Sequence, residues 1–329
     1  MKKGTLLCQK LKNFTKFKKM NTILITGVCG FIGTELTEFF TSRNFNVIGI
    51  DIKNKNDRLA SLKNGYTHYI VDLYNREEIN LLFNKIIYPN LIIHLAGITR
   101  VKEAALSPHR AIAVNILSTV NVFLSYQKYS QGASKKGSFL FISTSELENT
   151  STSGGKVSVY SITKNCAEEL IKSIQDPQIL STSILRLCTV YGGEMELKDK
   201  LPRIFLEKIK INQQIEINSD IKINPSFIFI KDLLLIIEKI TSDLLNTEKN
   251  NFVLETYTVL GEEASLGEII SLMEDIISKS IDHIYLHKYR NEIDESHENI
   301  TYHYKTIRAN NPVKFSEGLK VLWNIVNRN

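Results

Sequence analysis

Along the first 190 positions, apolar residues come in short, evenly repeated runs. Ile23-Leu24-Ile25, Val47-Ile48-Gly49-Ile50, His68-Tyr69-Ile70-Val71-Asp72, Leu91-Ile92-Ile93-His94-Leu95, Phe139-Leu140-Phe141-Ile142 and Ser183-Ile184-Leu185-Arg186-Leu187 each read as a strand. Near-continuous apolar runs, rather than alternating ones, mark strands covered on both faces. Between them the period becomes helical, which predicts a helix directly after the first strand and others over 76–86, about 111–129 and 160–173. Strands alternating with helices specify a parallel sheet with right-handed crossovers. The fold class is therefore α/β, a doubly wound parallel Rossmann sheet over 20–190. Strand ends at Gly97, Ser143 and Leu187 then share one rim, where ligands bind in such sheets.

Beyond about residue 190 the pattern loosens. Strands are predicted at 214–217 and 226–230, and helices over 202–210, 232–242, 266–279 and 315–326. This reads as a smaller mixed α/β C-terminal substrate lobe over 191–329, with some segments returning to the Rossmann domain. By composition, Ser151-Thr152-Ser153-Gly154-Gly155 is the clearest flexible stretch, and it is expected to form a loop at the mouth of a site.

Between the first strand and its helix stands Thr26-Gly27-Val28-Cys29-Gly30-Phe31-Ile32-Gly33. Three glycines in that context describe a pyrophosphate site: a tight turn at Gly27, close backbone approach at Gly30, and helix packing at Gly33. Free N–H groups at the helix start then face the anion. Asp51 ends the second strand, where an acid accepts both hydroxyls of an adenosine ribose and repels a 2′-phosphate. NAD is thus favoured over NADP, with Lys53 and Lys55 as the residues that keep NADP as a minority reading.

Charge and cysteine content narrow the partners. Seven of the lysines fall in residues 1–19, which hold no acid, so the net charge of +6 becomes −1 without them. The folded part gives no argument for nucleic acid, and residues 1–19 read as a basic N-terminal extension, either a disordered tail or sequence ahead of a start at Met20, with an amphipathic targeting or membrane-surface segment as the minority reading. No apolar run approaches the ~18–20 residues of a membrane span; Leu233 to Ile237 reads as a buried helix segment. Cys8, Cys29, Cys166 and Cys188 form no pair at metal spacing. No metal is expected, Cys29 and Cys188 read as small buried hydrophobes, and a reducing cytoplasm fits.

Tyr160-Ser161-Ile162-Thr163-Lys164 places a phenol and an ammonium one turn apart on one helix face. A nearby ammonium lowers the phenol's pKa, which suits it to acid–base work near neutral pH. Ser143-Thr144-Ser145-Glu146 ends the preceding strand, and a hydroxyl there can bond the same substrate oxygen as Tyr160.

At this point the chain resembles the extended short-chain dehydrogenase/reductase family of the NAD-dependent epimerase/dehydratase (nucleotide-sugar) type. The resemblance covers about residues 21–329 and rests on the glycine turn, Asp51, Asp72-Leu73, His94-Leu95-Ala96-Gly97, Asn115, Ile142-Ser143-Thr144, Tyr160-x-x-x-Lys164, Leu185-Arg186-x-x-x-Val190-Tyr191-Gly192 and Phe315-Ser316-Glu317-Gly318-Leu319. It implies catalytic roles for Thr144, Tyr160 and Lys164. It implies a cofactor site of Gly27, Gly30, Phe31, Ile32, Asp51, Ile52, Asp72, Leu73, Leu95, Ala96, Gly97 and Asn115, with Tyr160 and Lys164. Transient oxidation of a sugar hydroxyl by NAD is the implied mechanism, in a homodimer.

Several positions depart from that pattern. Leu147-Glu148-Asn149 stands where Val-Tyr-Gly is usual, Lys200 replaces an Asn before Leu201-Pro202, and Asn224-Pro225-Ser226 stands where an Arg usually precedes the strand Phe227-Ile228-Phe229-Ile230. Lys200, Arg203 or Lys222 are the cations expected to take over that arginine's role. Thr99, Ser145 and Glu146 complete the substrate candidates. Ser145-Glu146 in place of the dehydratases' Asp-Glu favours a 4-epimerase or 4-keto reductase. The alternatives are a reductase or dehydrogenase acting on a non-nucleotide alcohol or ketone, and a non-catalytic NAD-binding regulator.

Overall fold

A computed structural model describes residues 21–149, 157–217, 224–246, 254–285 and 305–328. The basic extension with Cys8 and Met20, the stretch Ser151 to Gly155, and Lys222 lie outside the described residues. The strands are β1 (Thr22–Thr26), β2 (Asn46–Asp51), β3 (Tyr66–Ile70), β4 (Leu91–His94), β5 (Gly137–Thr144), β6 (Leu180–Leu187), β7 (Thr189–Tyr191), β8 (Ile215–Ile217), β9 (Ser226–Phe229), β10 (Leu254–Val259), β11 (Glu262–Glu263), β12 (His283–Tyr285) and β13 (Lys305–Ile307). The longer helices are α1 (Phe31–Ser42), α2 (Arg76–Phe83), α3 (Ser118–Gly132), α4 (Val159–Ile174), α5 (Arg203–Lys210), α6 (Ile230–Asn246), α7 (Leu266–Ile277) and α8 (Phe315–Arg328).

Eight strands form one sheet in the order β13-β10-β6-β5-β4-β1-β2-β3, and every pairing in it is parallel. The order reverses between β1 and β4, so a crevice opens there at the carboxyl ends of the strands. Every residue of β1, β5 and β6 is buried, as the apolar runs require. One face packs on α1 and α6 through Leu36, Phe40, Ile236, Ile237 and Ile240. The other packs on α2, α3 and α4 through Leu82, Phe83, Phe123, Tyr126, Ala167 and Ile171. Each such Leu, Ile or Phe side chain stabilises the fold by about 1.5–3 kcal/mol on burial. A third core, with Tyr191, Phe205, Phe227, Ile269, Phe315 and Leu319, joins α5, α7 and α8 to the small sheet β11-β9-β7.

Several elements differ from the sequence reading. The third strand lies at Tyr66–Ile70 rather than 68–72, because it pairs at the sheet edge with Val47 to Asp51. No residue of it is fully buried, and Val71 and Leu73 turn down into the core beyond it. The helix expected over 111–129 is a short turn at Pro108–Ala111, a π-helical segment Ile112–Leu117, and then α3. Strands β10 and β13, which bring the chain beyond residue 190 back into the main sheet, were masked in sequence by Glu255, Thr256, Thr258 and Lys305.

Candidate active site

The first part of the site follows β1. Gly27 has φ +71°, and a Cβ on it would stand 2.9 Å from the backbone nitrogen of Ala96. A Cβ on Gly33 would collide with the carbonyl of Gly27, so this glycine fits the helix against the turn itself rather than against the strand. α1 starts at Gly30 with no side-chain cap and no acid in its first turn, which leaves its first N–H groups aimed outward at an anion. Asp51 is tied to the turn: its carboxylate accepts from the backbone N–H of Cys29 at 3.0 Å and of Lys53 at 3.1 Å. These groups fit a dinucleotide, with pyrophosphate on the helix start and a ribose diol beside Asp51.

Cys29 is half-buried rather than buried, and so is Cys188. The Cys29 thiol points at the carbonyl of Asn54 at 3.3 Å, and burial together with the charge of Asp51 pushes it up to about 11. Ile52 and Asp72 are exposed; Asp72 caps the turn at Tyr74, and Leu73 is buried in the core below.

The floor of the crevice hangs on a buried histidine. Thr119 Oγ1 donates to the carbonyl of Asn115, so it accepts from His94 Nε2 at 3.0 Å. His94 Nδ1 then accepts from Thr26 Oγ1 at 2.9 Å. Thr26 in turn accepts from the N–H groups of Leu95 and Ala96. Burial holds His94 down to about 3, so the ring is neutral. Asn115, on the π-helical segment, accepts from Ile98 N at 2.8 Å and donates to Ile98 O and to Thr163 Oγ1. Its carboxamide bonds protein on every side. It clamps the Gly97–Ile98 backbone to α4 and does not reach into the crevice.

The chemical groups meet at the ends of β5 and α4. Ser158 caps α4 through the N–H of Ser161. Tyr160 is buried, and Thr144 is the neighbour whose hydroxyl favours its phenolate. Lys164 Nζ donates to the carbonyl of Ile142 at 2.6 Å and lies 4.0 Å from the centre of the Phe141 ring. Burial brings Lys164 down to about 7, against the raising effect of Glu168. The expected lowering of Tyr160 is not found. Burial first, and the charge of Glu146 second, hold its phenol well above the ordinary range, and only the Thr144 bond pulls it down. The ammonium of Lys164 is turned to Ile142 and Phe141, which explains the difference.

Glu146 accepts from Ser161 Oγ at 3.0 Å and acts electrostatically on both Tyr160 and Lys200. Ser145 extends the β5 ladder by donating to Leu187 O. Lys200 is held down by burial, with Glu146, Asp199, Arg100 and Glu196 around it. Arg100, beside exposed Thr99, pairs with Asp199 at 3.2 Å across the mouth. The sequence reading missed Arg100, because nothing in the motifs marks it. Arg203 does not join the site. It is 2 % exposed, and its guanidinium donates to the carbonyls of Gly193, Glu194 and Glu196 and to Glu207.

Among the described residues no group of His, Cys, Asp or Glu is placed to hold a metal ion, and no helix is long and apolar enough to cross a membrane.

The chain is 24% identical over 323 residues or slightly more to archaeal and bacterial proteins. One is the UDP-glucuronate 4-epimerase of Thermodesulfobacterium geofontis, matched over 92% of this chain and 94% of that protein. An uncharacterized UDP-glucose epimerase of Bacillus subtilis is 28% identical over 77% of this chain and 81% of its own length. In fold, the chain resembles the Bacillus cereus UDP-glucuronic acid 4-epimerase crystallised with UDP-glucuronic acid and NAD, with a TM-score of 0.72 and 23% identity, covering 93% of this chain and 99% of that one. The sequence profile of the NAD dependent epimerase/dehydratase family matches residues 23–253, and the chain belongs to that family.

Proposed function

We propose that the protein is an NAD-dependent nucleotide-sugar 4-epimerase, with Thr144, Tyr160 and Lys164 as its catalytic residues. The observation that carries this reading is the meeting of Thr144, buried Tyr160 and buried Lys164 on the carboxyl rim of the sheet, with Lys164 bonded to Ile142 O, beside the crevice that opens at Gly27. The names of the relatives supply the substrate class: UDP-glucose and UDP-glucuronate epimerases. NAD, held by Gly27, Gly30, the start of α1 and Asp51, supplies reversible hydride acceptance when bound. Thr144 and Tyr160 bracket one substrate oxygen, and Tyr160 takes or returns its proton. At rest the phenol keeps that proton. Losing it in a dry site calls for a cation close by, and Lys164, one turn along, is that cation when protonated. Dry walls strengthen each of these interactions.

Lys200 and Arg100 are the cations at the mouth and take the diphosphate; Arg203 is engaged by the loop behind them. A second reading, a non-nucleotide alcohol or ketone as substrate, has one observation in its favour: both mouth cations already face acids, Glu146 and Asp199. The protein works as a homodimer. Ile162, Cys166 and Leu170 form an exposed stripe on α4, with exposed Ile112 and Leu117 on the neighbouring helix. A cytoplasmic site of action agrees with three free cysteines among the described residues.

The test is thermal unfolding with NAD, NADP, and NAD plus UDP-, dTDP-, GDP- or CDP-sugars, followed by turnover of the sugar that binds. A ligand of the folded state raises the midpoint with its occupancy. One nucleotide adding to the NAD shift, with interconversion that falls about 10²–10⁴-fold in Tyr160→Phe, is the expected result. An NAD shift to which no nucleotide adds moves the assignment to the second reading.

A further inference from the structure

The face of α4 that carries Tyr160 and Lys164 continues to Glu168, four residues further on. Glu168 is fully buried. Its carboxylate accepts from Ser143 Oγ at 2.5 Å, from Arg186 Nη2 at 2.7 Å and from Arg186 Nε at 3.1 Å. Ser143 and Arg186 are register partners on β5 and β6. Three successive turns of α4 therefore lie along three successive residues of β5: Lys164 bonds Ile142, Glu168 bonds Ser143, and Tyr160 stands beside Thr144.

The geometry points to Glu168 as the positioning residue of this site: by gripping Ser143 and Arg186 it fixes α4 against β5 and so sets Tyr160 and Lys164 in line with Thr144. The inference rests on the catalytic assignment above. A buried carboxylate is stable only when matched, and a bidentate guanidinium with a hydroxyl supplies that match. The grip is stiffer than apolar packing, because sliding α4 along the strand breaks several charge-assisted bonds at once. Small misplacements at a catalytic centre carry large rate penalties, about 10²-fold for 1 Å.

Glu168 also acts on the charge of Lys164. The charged and titratable groups facing Lys164 are Glu168 on its own helix and His94 from β4, with Tyr160 one turn away. His94 is neutral. Glu168 is thus the group that favours the protonated lysine, opposed by burial. Taking its charge away shifts Lys164 toward the neutral amine and leaves a phenolate at Tyr160 less supported.

The experiment compares Glu168→Gln and Ser143→Ala with the wild-type protein saturated with NAD. Three quantities are read: the tyrosinate absorbance attributable to Tyr160, taken as the difference from Tyr160→Phe across pH; NAD affinity; and kcat with its pH profile on the UDP-sugar identified above. In Glu168→Gln the Tyr160 transition is expected to move to higher pH, the alkaline fall of kcat to lower pH, and kcat to drop about tenfold or more, with NAD affinity within about twofold. Ser143→Ala keeps the Arg186 pair and is expected to lose about two- to fivefold in kcat. If Glu168→Gln does not fold, Ser143→Ala decides. A lower unfolding midpoint with an unmoved Tyr160 transition and unchanged kcat overturns the proposal, since a purely structural role predicts that pattern. If no UDP-sugar is turned over by the wild type, the function reading fails, and the tyrosinate transition still tests the role of Glu168.

Discussion

In the turn after β1, shape comes from side chains that are missing; in the loop after β7, it comes from side chains that reach back. Gly27 and Gly33 leave room where any Cβ would strike Ala96 or Gly27 itself. The Gly192–Glu196 loop is instead held from behind. Arg203 binds three of its carbonyls, and Glu196 accepts from Gly192 N at 2.8 Å. The two meet where Gly193 lies against the Phe31 ring. A backbone-built cradle suits a ligand that does not vary, because it offers no side chain to change. A loop braced by side chains can be reshaped by substitution while its scaffold stays, which suits the side that must distinguish substrates.

This contrast can be broken at either end. Arg203→Met is expected to have the largest effect, about 3 kcal/mol or more of stability, since three carbonyls and Glu207 lose a buried donor. In denaturant melts with NAD the loss should persist, and substrate KM should rise more than the Kd for NAD. Gly33→Ala should cost about 1–3 kcal/mol through overpacking, and should abolish most of the NAD-dependent midpoint shift while leaving the loop intact. Equal damage to NAD and substrate binding in both variants would erase the distinction between the two regions.

A milder test uses pH. Burial raises the Glu196 carboxyl to about 8 from its ordinary 4.5. The folded protein therefore holds a proton there that the unfolded chain releases above about 4.5. The stabilisation is complete below that pH and is lost as pH climbs to about 8. Glu196→Gln lacks this loss, so its stability relative to wild type should rise across that window by about 2 kcal/mol or more, read from urea midpoints at pH 5 and 8. Smallest is the change at Asp51. Asp51→Asn should weaken NAD and relieve the penalty on NADP, shifting the preference by about tenfold, or about 1.4 kcal/mol, as measured by calorimetry.

The cradle was legible in sequence and the brace was not, for a physical reason. Glycine spacing and two-face burial write themselves into the chain: Ile23 to Ile25 can be nothing but an interior strand, and Gly27 and Gly33 mark the turn. The Tyr160–Lys164 spacing was equally plain, yet the direction of Lys164 was not. Its ammonium answers to Ile142 and Phe141, which only the packed strand supplies. Arg203 read as a free cation because three of its four partners are backbone carbonyls, which carry no residue signature. The edge strand β3 slipped by two residues because none of its own residues is fully buried, while the apolar signal comes from Val71 and Leu73 just past its end. Asn115 was recognised by type, while its bonds to Ile98 and Thr163 depend on the wide turn that holds it.

That wide turn has a consequence of its own. Each extra residue in a helix swings everything after it by about 100°. Ile112–Leu117 carries such an excess, so Asn115 faces the Gly97–Ile98 backbone under the crevice while Val122, Phe123 and Tyr126 still look into the core. The segment works as a phase shifter between two audiences. Deleting one residue from it would restore a regular helix and force a choice: keep Asn115 on Ile98 and turn the aromatic side chains out to water, or keep the core and let the crevice floor go.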